Sequence, residues 1–330
     1  MRFPRAGRVS LAAAGSLAVA LVAAACSGSS ASTSSATTSA HLEKTSVVVG
    51  TLPVLDTAGL FLAIKDGYFQ DAGLNVSVSP IAASPQAIPD MLHGKVDIVA
   101  GANYVSFFQA QAEGAAQFKV LADGASCSSD TFQILAMPGS HITSAAGLAG
   151  KTIAVNVKNN IQTLLINTAL ETAGVNPATV HYVVVPFPKM AQALVAHQVD
   201  SISVVEPFIS EAELGVGAEP VISTCTGPTA DFPISGYLAT QKWAQQYPNT
   251  ARAFQTALDR GQVLADASRS AVEQVLPSYI KGLSPEQAAV VNFGQFPTAL
   301  DGTHLQRVAN LMFSGGLVSQ QFSVQPMLFP

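Results

Sequence analysis

Ser46-Val47-Val48-Val49-Gly50-Thr51-Leu52 is a run rich in β-branched residues that reads as a strand, and the thirty residues after it decide the fold. Asp56 stands where a helix would be capped, Leu60, Phe61 and Ile64 fall at core-facing helical spacing, and Gly67 closes the segment. Residues 74–78, Leu74-Asn75-Val76-Ser77-Val78, alternate apolar and polar as a second strand. Strand, helix and strand in so short a span imply α/β architecture with mainly parallel strands.

The same grammar continues outward. Asp97-Ile98-Val99-Ala100 reads as a third strand, reached through a helix near residues 86–92 whose start is blurred by Pro89. Further strands are expected at 118–122 and 131–137, and the Pro138-Gly139-Ser140 turn marks a crossing into a second lobe. There the pattern restarts: strand 152–155, helix 161–173 ended by Gly174, strand 180–185, helix 189–196, strand 201–204 and helix 207–214. The Asp231-Phe232-Pro233 turn brings the chain back, and helices from Gln241 complete the first lobe. The expected division is a first lobe at 46–138, a second at 139–233 and a helical return at 234–330. Two crossovers then enclose one cleft, with ligand loops just after Leu52, Ala100, Val155, Val185 and Val204.

The first 25 residues read as an export signal: Arg2, Arg5 and Arg8 precede an apolar run over 11–25, too short to span a bilayer as a mature helix. The run ends in Ala23-Ala24-Ala25-Cys26, which resembles a bacterial lipobox with Ala23 where Leu is usual, and Cys26 is the expected lipidation site. Residues 26–45 form a tether whose Ser/Thr/Ala-rich part cannot bury enough surface to order itself. Without Arg2, Arg5 and Arg8 the chain carries 13 Lys+Arg against 21 Asp+Glu, a charge of −8, which argues against nucleic acid as a partner. Apolar residues at 48% and charged residues at 11% fit a packed globular body. Cys127 and Cys225 remain as a pair that in an exported protein reads first as a disulfide, with two separate buried thiols as the alternative.

Four stretches carry a family likeness. Asp66-Gly67-Tyr68-Phe69-Gln70-Asp71-Ala72-Gly73-Leu74-Asn75-Val76 is followed in order by Met91-Leu92-His93-Gly94-Lys95-Val96-Asp97-Ile98 and by Gly147-Leu148-Ala149-Gly150-Lys151-Thr152-Ile153-Ala154-Val155. The series closes with Met190-Ala191-Gln192-Ala193-Leu194 through Val199-Asp200 to Val205-Glu206-Pro207-Phe208. Together these resemble the sulfonate/nitrate/taurine-type substrate-binding proteins of ABC importers, whose core is also similar to binders of thiamine pyrimidines and riboflavin. The resemblance implies a two-lobe periplasmic-binding-protein-like fold, a small-molecule solute, ABC permease subunits as partners, a monomer held to the outer face of the cell membrane through Cys26, and no cofactor. Most of the motif residues read as scaffold: Gly67 and Gly73 for turns, Tyr68 and Phe69 for packing, Asp97 and Asp200 for holding backbone N–H groups.

Carried over position by position, the resemblance implies a ligand site of Pro53, Val54 and Asp56 after the first strand, Ser84 before the next helix, and Asn103 with Tyr104 after Gly101. Tyr104 is the expected aromatic wall, and Asn103 caps its helix, contacts ligand, or does both. The second lobe would add Asn156, Lys158, Asn159 and Asn160, where the family usually has a Gly-Ser/Thr pair opening a helix as an anion seat. Lys158 either supplies charge there or is a solvated loop lysine. Phe187 and Glu206 would complete the site, Glu206 either accepting from a ligand amine or capping its helix. No arginine stands among these loops, which suits a small organic monoanion held by helix N-termini; a thiamine-type pyrimidine with its amine on Asp56 or Glu206 is the alternative.

Catalysis finds little footing in the sequence. A pyrimidine-synthase-like enzyme would need a compact cysteine cluster that is missing, and no G-x-S-x-G or phosphate-cradling loop occurs. His41, His93, His141, His181, His197 and His304 are scattered with no i, i+4 pair, so no metal site is expected. The expectation is a binding protein, with a non-binding structural lipoprotein as the rival from another class.

Overall fold

The computed structural model describes residues 41–330, so the expected signal segment, Cys26 and most of the tether lie outside the described residues. β1 (Ser46–Thr51) leads through a 3-10 turn at Leu55–Thr57 into α1 (Ala58–Lys65), the short α2 (Tyr68–Asp71) and β2 (Asn75–Pro80). A 3-10 turn at Ser84–Ala87 opens α3 (Ile88–Leu92), and Pro89 sits in the first turn of that helix, where its missing N–H costs nothing. β3 (Ile98–Asn103), α4 (Tyr104–Ala112) and β4 (Phe118–Ser126) come after it. Next are β5 (Phe132–Ala136), β6 (Thr152–Val155), α5 (Ile161–Thr172), β7 (His181–Val184), α6 (Phe187–Val195), β8 (Ser201–Val205), α7 (Phe208–Val216) and β9 (Glu219–Ser223). The chain closes with β10 (Pro233–Thr240), α8 (Gln241–Gln246), α9 (Pro248–Ala267), α10 (Arg269–Tyr279), α11 (Pro285–Ala288) and α12 (Gly302–Ser314).

Two five-stranded sheets result, ordered β2-β1-β3-β10-β4 and β7-β6-β8-β5-β9. The sheets are topological copies. In each, three parallel strands are joined by a fourth, antiparallel strand that comes directly after a crossover between lobes: β10 in the first sheet and β5 in the second. This pairing corrects the expected lobe boundary. Phe132–Ala136 pairs with β8 and β9, so the chain leaves the first lobe at residues 127–131, before the Pro138-Gly139-Ser140 turn. That turn lies inside the second lobe, where it links β5 to β6.

Matching carboxylates pin the two sheets at their lower edges. Asp97 Oδ2 accepts from Val48 N–H and Asp200 Oδ2 from Thr152 N–H, both at 2.8 Å, so each acid holds the start of its neighbouring strand. On the first lobe α9 packs against α1 so closely that a Cβ on Gly261 would strike the Gly59 carbonyl. Phe69 is fully buried and stacks on Phe254 of α9 at 5.0 Å between ring centroids, while Tyr68 lies under the Arg260 guanidinium. Phe69 is core, and Tyr68 is half-buried against it.

The two crossovers run side by side. Cys127 N–H donates to Phe232 O at 2.8 Å, Thr224 N–H donates to Phe132 O at 3.1 Å, and Cys127 is disulfide-bonded to Cys225 with Cα atoms 5.4 Å apart. Among the described residues no helix is long and apolar enough to cross a membrane.

Candidate functional site

The strand ends of the two sheets face each other across a recess of about 50 Å³. From the first lobe it is lined by Leu52, Val54, Asp56, Ser84, Gly101 and Asn103, with Ile234 and Ser235 from β10. The second lobe adds Phe132, Asn156, Asn160, Ile161, Gln162, Phe187 and Val205. Seven of the residues expected from the sequence therefore meet at one place: Val54, Asp56, Ser84, Asn103, Asn156, Asn160 and Phe187.

The polar members are held by partners, and Ser84, Asn103 and Asn160 each keep a hydrogen-bonding group uncommitted among the described hydrogen bonds. Ser84 Oγ accepts from both the backbone and the side-chain N–H of Asn103, at 3.1 and 3.0 Å, so its own O–H remains to donate. Asn103 also caps α4, its Oδ1 accepting from Ser106 N–H at 2.9 Å; it is a cap that lines the cleft. Across the recess Asn160 caps α5, accepting from Gln162 and Thr163 N–H, while Thr163 Oγ1 takes the Asn160 N–H at 3.0 Å. This reciprocal capping box leaves the Asn160 amide NH₂ uncommitted among the described hydrogen bonds. Gln162 fixes the loop below: its Oε1 accepts from Asn156 N–H at 2.6 Å and its Nε2 donates to Ser203 O at 2.8 Å, tying the loop to β8. Two helix N-termini, one from each lobe, thus open toward the same small space, each carrying the partial positive charge of its unsatisfied N–H groups.

Among the described residues Asp56 is the one ionisable side chain lining this recess. It does not cap α1 as its position suggested; it lies within the 3-10 turn and accepts from Ser235 Oγ at 2.6 Å. Burial raises its pKa, and the Ser235 hydrogen bond only partly opposes this. Phe187 supplies the aromatic wall, stacked on Phe208 with centroids 5.4 Å apart and planes 11° from parallel.

The remaining expected residues go elsewhere. Tyr104 is fully buried and its hydroxyl donates to Asp123; a Cβ on Gly236 would collide with that hydroxyl, so glycine in β10 makes the room. The aromatic wall is therefore Phe187 rather than Tyr104. Glu206 is buried beside the recess but outside it. Its carboxylate accepts from Ser210 N–H and Oγ–H at 3.2 and 3.0 Å and from the Asn292 backbone and side-chain N–H at 2.9 and 3.1 Å, joining the second lobe to the helical return of the first. Burial raises the Glu206 pKa against these four donors. Lys158 and Asn159 are exposed on the loop before α5, Asn159 with a φ of 53° that asparagine tolerates better than most residues. Pro53 lines a neighbouring cavity instead of the recess. Sequence reasoning missed Gln162, Ser235, Phe132 and Ile234. Gln162 had a signal, its place two residues beyond a capping asparagine; the other three arrive on the crossover strands β5 and β10, which no local pattern assigns to the site.

Among the described residues no three His, Cys, Asp or Glu side chains gather as metal ligands. No curated protein matches the chain. Solved structures share its fold at low identity. The alkanesulfonate-binding protein SsuA from Xanthomonas axonopodis pv. citri bound to MOPS is 18% identical, with a TM-score of 0.74 over 87% of this chain and 99% of that one. The periplasmic nitrate-binding protein NrtA from Synechocystis PCC 6803 is 15% identical, with a TM-score of 0.70 over 84% of this chain and 83% of that one. The desulfurization enzyme DSZB is 17% identical, with a TM-score of 0.65 over 87% of this chain and 97% of that one. The model of the NMT1/THI5-like family matches residues 55–268, which hold the second lobe, the first lobe without β1 and α10–α12, and every recess residue named above except Leu52 and Val54, and the chain belongs to that family.

Proposed function

We propose that the protein is the extracytoplasmic solute-binding component of an ABC importer, capturing a small molecule between its lobes and delivering it to the permease. The observation that carries the reading is the convergence of Ser84 and Asn103 from one lobe with Asn156 and Asn160 from the other on one recess. A site split between two bodies that share a pair of crossovers suits capture by closure and release by opening. The fold is shared by binding proteins and by an enzyme, so it does not decide between them. What favours binding is the donor set: amides, hydroxyls and one carboxylate, with no histidine, cysteine or lysine lining the recess and no metal cluster among the described residues. Export and lipid attachment at Cys26 are part of the proposal. Cys26→Ser should move the protein out of the membrane fraction, and undiminished retention would contradict the anchor.

The leading ligand class is a small organic anion of the sulfonate kind, seated on the two helix N-termini and the Ser84 hydroxyl. Its binding turns on Asp56. Each helix end contributes ~0.3–2 kcal/mol toward an anion, whereas an ionised carboxylate ~4–5 Å away would oppose it by about 3–4 kcal/mol at an effective dielectric of about 20. An anion therefore binds the state in which Asp56 is protonated, which its raised pKa favours. The second reading, an amine-bearing heteroaromatic stacked on Phe187, is favoured by that same carboxylate when ionised. The two readings give opposite signs. Sulfonate affinity should rise as pH falls through the raised Asp56 pKa and should rise at neutral pH in Asp56→Asn; affinity for an amine-bearing ring should fall in both. Calorimetry over a pH series with both proteins and both ligand classes measures this, and a sulfonate site that weakens in Asp56→Asn would overturn the anion reading.

A further inference from the structure

Beside the recess lies a cavity of about 770 Å³, within the range of drug-sized ligand sites, whereas the recess itself holds only a small group. The two adjoin one another, sharing a wall. Leu52 lines both, Val54 of the recess comes directly after Pro53 of the cavity, and Phe187 of the recess precedes Pro188 of the cavity and stacks on Phe208, which lines the cavity. A hydrogen bond joins their frames: Tyr279, a cavity residue, donates its hydroxyl to Val54 O at 3.1 Å.

The chemistry of the cavity is unlike that of the recess. Phe61 and Tyr279 stack with centroids 3.8 Å apart and planes 1° from parallel, a rigid aromatic pair at the cavity wall, and Pro53, Pro188, Pro207 and Phe208 add rigid apolar surface from both lobes. Its two charged side chains, Glu211 of the second lobe and Lys281 of the first, are exposed, so they belong to the rim. Proline and stacked aromatics lose little side-chain freedom on binding, so such walls favour a bulky, flat partner at small entropic cost. A nitrate-sized or methyl-bearing ligand would occupy the recess and leave this surface wet.

We propose that the physiological ligand is bipartite: a small polar head in the recess, carrying an aromatic or branched apolar body that packs in the neighbouring cavity between the Phe61–Tyr279 pair and Phe208. This rests on the solute-binding reading of the same cleft and names the size and character of what it takes. The head fixes orientation and the body supplies most of the affinity, because apolar area leaving water is the larger contribution for a ligand of this size.

The test is calorimetry on the full chain with two series of matched heads, methane-, hexane- and naphthalene-2-sulfonate, and methyl-, hexyl- and naphthylmethyl-ammonium, so that head and body fail separately. In whichever series binds, affinity should rise about a hundred-fold from methyl to the naphthalene body. Ser278 is exposed and lines the cavity, so Ser278→Trp should intrude without disturbing the core and should cut the naphthalene-to-methyl affinity ratio by about ten-fold or more. Equal affinity along the series, or an unchanged ratio in Ser278→Trp, overturns the bipartite ligand while leaving the solute-binding reading in place. Absence of binding in both series removes both.

Discussion

Asp123 shows how a single buried carboxylate couples this protein to pH. One oxygen accepts from the Tyr104 hydroxyl, and the other is buried without a partner among the described residues. Burial raises its pKa to about 6, with the Tyr104 hydrogen bond pulling the other way. An acid whose pKa is higher folded than unfolded contributes stability that is complete below its unfolded value of 3.8 and lost as pH rises through about 6. The loss is on the order of 3 kcal/mol for a shift of this size. Melting temperature should therefore fall between about pH 4 and about pH 7, and Asp123→Asn should remove part of that slope; an identical slope in the variant would refute the assignment. The pair also shows why one site residue could not be read from sequence. Tyr104 comes after a capping asparagine at a strand end, the position of a cleft aromatic, but the nearby Gly236 and Asp123 come from other strands and draw its ring inward. Asn103 and Asn160 were legible because a cap is local: strand end, polar residue and helix start are close neighbours in the chain.

The helices α4 and α5 place their capping asparagines at the recess, where the proposed site would use them for binding as well as for scaffold. Asn160→Ala should cost roughly 1 kcal/mol of ligand-free stability through loss of the capping box, and should weaken ligand binding by more than that because an uncommitted amide in the recess is lost as well. Urea unfolding without ligand, set beside calorimetry with it, separates the two effects; equal losses would mean that Asn160 acts only as a cap. Strand and helix positions were legible wherever periodicity is local, as in β1, α1, β6 and α5. The crossover strands were not. Phe132–Ala136 reads as one more apolar strand after β4, and only its antiparallel pairing with β8 and β9 assigns it to the second sheet. Its partners lie dozens of residues away, and apolar runs carry no label for the sheet they join. The same argument covers Ser235, which reaches Asp56 from β10.

For the whole molecule, the crossovers and the disulfide that joins them define how the lobes are connected. Cys127 and Cys225 are 98 residues apart and enclose the whole second lobe. Cross-linking a loop of that length contributes on the order of 4–5 kcal/mol in the chain-entropy model, so the Cys127→Ala/Cys225→Ala variant should unfold at distinctly lower denaturant. Two titratable thiols in the unreduced, denatured wild-type chain would contradict the bond. Besides the disulfide, the Glu206 carboxylate, bonded to Asn292, ties the second lobe to the helical return of the first. In the proposed function one solute binds between these lobes on side chains from both. The most direct measurement is a calorimetric titration of the full chain and of the Ser84→Ala/Asn160→Ala variant, which removes one recess donor from each lobe, with the tightest ligand from the matched-head series. One ligand per chain and a loss of about ten-fold or more in the variant are expected; full affinity in the variant would place the solute somewhere else and rule out a site shared between the lobes.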